Sequence, residues 1–174
     1  MKPPSLWGAI LAVAVAGGLH VSAAMAADSA YTSLTECKTT VIPGEAGEQP
    51  TGTIATCPGR DGFSVLLTSG DDRSWLVFKH PTGGTSDLMD DVFRLTPGQF
   101  PMIRGKVLEW RFAKPGAPAR ALIFRVGGSD PATPNGPEKQ ALLVARIAAG
   151  NVQVVTAVRT NEEARRVADG LVNK

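Results

Sequence analysis

Turn chemistry punctuates this chain so densely that it leaves room for short elements rather than long helices. Pro43-Gly44, Pro58-Gly59 with Asp61-Gly62, Gly70-Asp71-Asp72, Pro97-Gly98, the run from Lys114 to Pro118, and Gly150-Asn151 each supply residues that favour reversal of the backbone. Between them lie short runs rich in β-branched and apolar residues: Glu36 to Ile42, Thr53 to Cys57, Phe63 to Ser69, Ser74 to Lys79, Lys106 to Ala113, Ala119 to Gly127, Gln140 to Ala148 and Val152 to Val158. The 19 glycines and 13 prolines, against 6% aromatics, fit the same picture. The spacing predicts a mainly β (α+β) fold, an antiparallel sandwich or barrel of about eight strands.

Alternation along the pair Lys106 to Gly127 assigns faces. Leu108, Trp110 and Phe112 share one side of the first strand, and Leu122, Phe124 and Val126 share one side of the second. A hairpin setting Phe112 opposite Leu122 would place Trp110 against Phe124 in the core and Glu109 against Arg125 outside. Two helices complete the expectation. Thr160-Asn161-Glu162-Glu163 reads as a capping box, with Ala164, Val167, Ala168 and Leu171 on one face behind it and Glu162 four residues before Arg166. A shorter middle helix is expected from Asp87 to Leu95, ended by Pro97-Gly98. Four strands and a helix thus occur twice, but residue identity between the halves is too thin to support a duplication.

The first 26 residues have the three-part layout of a secretory signal: Lys2, an apolar run from Leu6 to Val15, and Ala24-Met25-Ala26 before the expected cleavage. Gly17, Gly18, His20 and Ser22 leave the run shorter than the roughly 18 to 20 residues a membrane span requires, and no later run is long enough. Residues 27–174 are then expected to form one exported domain, soluble after cleavage and placed in the periplasm or secreted. Cys37 and Cys57 are the two cysteines, and an oxidising compartment favours a disulfide between them. Their spacing is nothing like Cys-x-x-Cys, so the bond reads as structural.

Lys2 is the one charged residue of the signal, which leaves 17 basic against 16 acidic residues after it. That balance does not predict nucleic-acid or membrane binding. Catalytic motifs are scarce. There is no Gly-x-Ser-x-Gly elbow, phosphate-binding glycine loop or His-Glu-x-x-His pair, and His80 is the single histidine beyond the signal. That excludes a zinc site built on several histidines, and no cofactor is expected. A Ser-His scheme around His80 with Ser64, Ser69, Ser74, Ser86 or Ser129 remains formally open, but no spacing selects among them. Asp71-Asp72 reads as a turn and Asp90-Asp91 as a helix face; neither has the alternating ligands of a calcium loop. Around the central strand pair, Arg104, Lys106, Arg111, Lys114, Arg120 and Arg125 outnumber Glu109, a local basic face suited to an anionic envelope component or an acidic partner protein.

Tyr31-Thr32-Ser33-Leu34 with Cys37-Lys38, Cys57-Pro58-Gly59 with Gly62, Glu109-Trp110-Arg111, the run from Asn161 to Arg165, and Ala168-Asp169 resemble a group of small exported alphaproteobacterial proteins. The group has no assigned activity, so the resemblance implies compartment and single-domain organisation and carries no site. The expected function is a non-catalytic binding protein presenting loops or the basic face to another envelope molecule, one version being an inhibitor of a cell-wall hydrolase such as lysozyme. A small hydrolase using His80, and a structural or stress-protective envelope component, are the alternatives.

Overall fold

The short runs and their turns form eleven strands and two helices in a computed structural model that describes residues 27–46, 48–133 and 136–173; the expected signal segment lies outside these. In chain order they are β1 (Asp28–Ser33), β2 (Lys38–Ile42), β3 (Gly52–Pro58), β4 (Ser64–Gly70), β5 (Arg73–Lys79), β6 (Thr85–Asp87), α1 (Met89–Leu95), β7 (Gln99–Ile103), β8 (Val107–Phe112), β9 (Ala119–Ser129), β10 (Lys139–Ala148), β11 (Asn151–Val158) and α2 (Asn161–Val172). All eight expected strands are present. β1, β6 and β7 add to them, and the middle helix begins two residues later than its sequence suggested.

The strands make two antiparallel sheets, neither closed into a barrel. One runs β2-β3-β4-β5-β6; the other runs β1-β8-β9-β10-β11, with β7 also on β9. β9 is long enough to take two partners in succession along one edge, β8 at Ala119 to Ile123 and β7 at Val126 to Ser129. The first half of the chain therefore builds one sheet, and the second half builds the other with β1 added at its edge.

Alternation packs the sheets face to face. Val65, Leu76 and Phe78 meet Leu108, Trp110, Leu122, Phe124, Val126 and Leu143 in one cluster. Trp110 lies 6.0 Å from the Phe63 ring and 6.1 Å from Phe78, and its indole donates to the Thr32 hydroxyl, which donates on to the Pro58 carbonyl. The buried indole thus keeps its hydrogen bond. The other face of the six-stranded sheet is also covered: Ala121, Ile123, Leu142, Val144 and Val158 pack against Ala164, Ala168 and Val172 of α2. Burial on both sides explains why β9 and β10 carry unbroken apolar runs. The layers are sheet, sheet, helix.

Thr160 caps α2, its hydroxyl accepting from Glu163 N at 3.2 Å, and Arg166 reaches Glu163 rather than the expected Glu162. The disulfide joins Cys37 to Cys57, between the β1–β2 connection and β3. In the chain-entropy model such a loop contributes roughly 3 kcal/mol.

Two expectations are corrected. The β8–β9 register sets Trp110 opposite Leu122 and Glu109 opposite Ile123, with an irregularity after Arg111, so the Glu109–Arg125 pair does not form. The offset from the expected register is two residues, which preserves every inward and outward assignment. The reverse face of this pair is also not a solvated exterior, because α2 lies over it.

Candidate functional site

Four connections converge at one end of the sandwich. Asp61 and Phe63 come from the β3–β4 turn, Pro81 and Thr82 from β5–β6, Pro118 to Arg120 from β8–β9, and Ile147 to Gly150 from the β10–β11 hairpin; together they line a cleft of about 550 Å³. Both sheets contribute, so the cleft exists only in the assembled fold. Its walls are mostly apolar.

Asp61 and Arg120 bring opposite charge to the cleft, but they are differently placed. Asp61 has φ 52° and turns its carboxylate onto Ala119 N at 2.6 Å, tying the β3–β4 turn to the start of β9. Gly62 follows at φ 80°, where a side-chain Cβ would stand 2.8 Å from that of Pro81, so glycine is required by conformation and by space. The Arg120 side chain belongs to an exposed residue and enters no ion pair among the described residues. Its charge is available to a ligand.

His80 stands directly before Pro81, with its ring edge-on to Phe63 at 5.6 Å. Its Nε2 lies 2.8 Å from Ser86 Oγ, which makes Ser86, of the five serines considered from sequence, the one bonded to His80 among the described residues. Ser86 is buried, donates to Asn151 Oδ1 at 2.7 Å and accepts from Val152 N at 2.8 Å. A hydroxyl has one proton and two acceptor sites. With its proton on Asn151 and one site taken by Val152, Oγ accepts the Nε2–H of His80 and is saturated. The arrangement fastens β6 to the start of β11; it leaves no lone pair or proton for nucleophilic attack.

The six basic residues singled out from sequence are not one surface. Arg111 is buried beneath α2, where it pairs with Glu109 at 3.0 Å and with Asp169 at 2.5 Å; Arg165 reaches the same Glu109 at 3.1 Å. Glu109 in turn holds the Arg165 guanidinium above its already high ordinary pKa, by hydrogen bonding first and charge second. Arg111 therefore pins the helix and is withdrawn from any partner. Lys114 lies in the β8–β9 turn and Arg120 at the cleft. Arg104, Lys106 and Arg125 do come together, lining a separate groove of about 290 Å³ with Glu109 and Asn161. Arg104 is paired there with Glu138.

One aspartate of each acidic doublet has a structural partner, Asp71 pairing with Arg73. Asp71 and Asp72, at φ 50° and 55°, form the two-residue β4–β5 hairpin turn, and Asp91 accepts from Val154 N on the free edge of β11 while pairing with Arg94. No group of three or more His, Cys, Asp or Glu among the described residues is placed to hold a metal. No helix among them is long and apolar enough to cross a membrane.

Sequence reasoning missed the cleft, because Phe63, Pro118 and Ile147 carry no motif and meet only through the fold. It also missed Asp169 and Glu138 as partners of Arg111 and Arg104. The one signal for them was charge balance: acidic residues had to lie somewhere opposite so dense a basic run.

The fold and cleft define a class, a three-layer β/β/α scaffold with a ligand-sized opening among its loops. Comparison of the chain with family models, curated proteins and solved structures gives no match.

Proposed function

We propose that this is a non-catalytic binding protein of the periplasm or extracellular space that takes its ligand in the loop-end cleft. The carrying observation is the opening of about 550 Å³, walled by Phe63, Pro81, Pro118 and Ile147, with Arg120, in no ion pair among the described residues, at its side. Binding sites combine a mostly apolar, largely preformed concavity with a few placed polar groups. The ligand that fits is an apolar body with one anionic group on the Arg120 side, away from the Asp61 carboxylate that is tied to Ala119 N, whether a free molecule or a projecting part of an envelope protein. Inhibition of an envelope hydrolase such as lysozyme is one form such binding would take. The disulfide suits the oxidising compartment that the N-terminal sequence pattern suggests.

Decanoate and decylamine, which share a chain and differ in charge, test the reading. Calorimetric titration is expected to give saturable decanoate binding, with decylamine at least about tenfold weaker because its charge meets Arg120 unfavourably. Arg120→Glu is expected to reverse that preference, and Ala148→Trp to block both ligands by filling the cleft. Equal affinity for the two amphiphiles in both proteins would refute the charge-reading cleft.

The hydrolase reading rests on the 2.8 Å contact between His80 and Ser86. Saturation of Ser86 Oγ counts against it. Should the protein turn over any ester or glycan, His80→Ala would separate the readings: an enzyme loses turnover, whereas a binding protein has none to lose.

A further inference from the structure

We infer a second site, independent of the cleft: the groove holding Lys106 and Arg125 binds a phosphate dianion, free or as a monoester. It lies on the α2 side of the six-stranded sheet, and Arg125 stands five residues beyond Arg120 along β9, about 17 Å at the rise of a strand. Loss of one site therefore leaves the other standing.

Charge bookkeeping in and around the groove carries the inference. Glu138 offsets Arg104, Glu109 and Asp169 offset Arg111 and Arg165, and Lys106 and Arg125 remain without a carboxylate among the described residues. Two full positive charges are thus left in a concavity of about 290 Å³ that both residues line. The whole chain has a formal net charge of only +2, so this concentration of positive charge is local.

The two cations are held differently. The Arg125 guanidinium donates to Asn161 Oδ1 at 3.4 Å, which directs it toward the start of α2, and Arg104 N donates to the Arg125 carbonyl at 2.9 Å, fixing that backbone. Lys106 stands in the exposed β7–β8 connection, its carbonyl accepting from Leu34 N at 2.8 Å. A planar fork on a strand and a point charge on a long side chain from the connection can grip one phosphate from two sides. Glu109 also lines the groove, but Arg111 and Arg165 bond its oxygens, and with Asp169 these four charges sum to zero. A dianion matches the two uncompensated charges, and a carboxylate monoanion matches only one.

Titration of the oxidised protein with phenyl phosphate, inorganic phosphate and acetate, followed by amide chemical shifts, tests this. Expected are saturable shifts at Lys106, Arg125 and Asn161, with a Kd for phenyl phosphate below about 1 mM. Acetate should bind at least about tenfold more weakly, and Lys106→Gln and Arg125→Gln should each weaken phosphate about tenfold, as befits loss of one charge-assisted contact. Arg120→Gln, at the cleft, should leave these shifts unchanged. Tighter binding of phenyl phosphate than of inorganic phosphate would place an organic ester in the site, and equal binding a free phosphate. Shifts that fail to saturate, that persist in both groove variants, or that vanish in Arg120→Gln would overturn the inference. Lys106 is exposed on a loop, so its variant folds and remains decisive whatever Arg125→Gln does to stability.

Discussion

Ser86 spends its single hydroxyl on three neighbours from two other segments, and its neighbourhood fixes what the lone histidine can do. Replacement by alanine strands the buried Val152 N–H and removes the donor to the exposed Asn151 side chain. Ser86→Ala is therefore expected to lower unfolding free energy by about 2 kcal/mol in urea denaturation, while decanoate binding survives at temperatures where the variant is folded. At this scale the sequence was informative about residue type and silent about partnership. His80 and five serines were visible, yet the residue that takes the Ser86 proton, Asn151, is 65 residues away. Arg111 was visible as charge, but the Asp169 that buries it is 58 residues off, and nothing local marks either distance.

Turns and faces were the most legible features, because both arise from neighbours in sequence. Period-two alternation in β8 and β9 sorted the residues onto the correct two faces even though the register differed by two and the second face proved to be covered by α2. The missed strands lacked such local signals. β6 has three residues, β7 carries Pro101 and a Phe100 at φ 51°, and β1 is polar and gains its place from pairing with β8. The free edge of β11 is managed by side chains, Ser86 receiving Val152 N and Asp91 receiving Val154 N. Such cover removes donors that another strand could have used. The β10–β11 hairpin has room for improvement. Ala149 sits at φ 50° before Gly150 at φ 77°, a turn that favours Asn-Gly. Ala149→Asn is expected to raise stability by about 0.5 to 1 kcal/mol, read as a higher urea midpoint, because asparagine tolerates the left-handed region better than alanine.

Over the whole molecule, sheet count and the covering of the second sheet on both sides were beyond local reading, since they depend on which halves of the chain pair. The disulfide works at this scale too, linking the connection after β1 to the opposite sheet through β3. Cys37→Ser with Cys57→Ser is expected to cost roughly 3 kcal/mol and to lower the urea midpoint as much as reduction of the native protein does. A variant whose midpoint matched that of the oxidised protein would show that the crosslink constrains nothing. β1 adds a consequence for how the chain matures. It leads the described residues, yet Thr32 meets Trp110 only across a separation of 78 positions. During synthesis from the N-terminus β1 therefore waits, unpaired, until β8 has emerged. Closing so long a loop is an entropic cost met before the contact is made, which makes this strand a late arrival in folding.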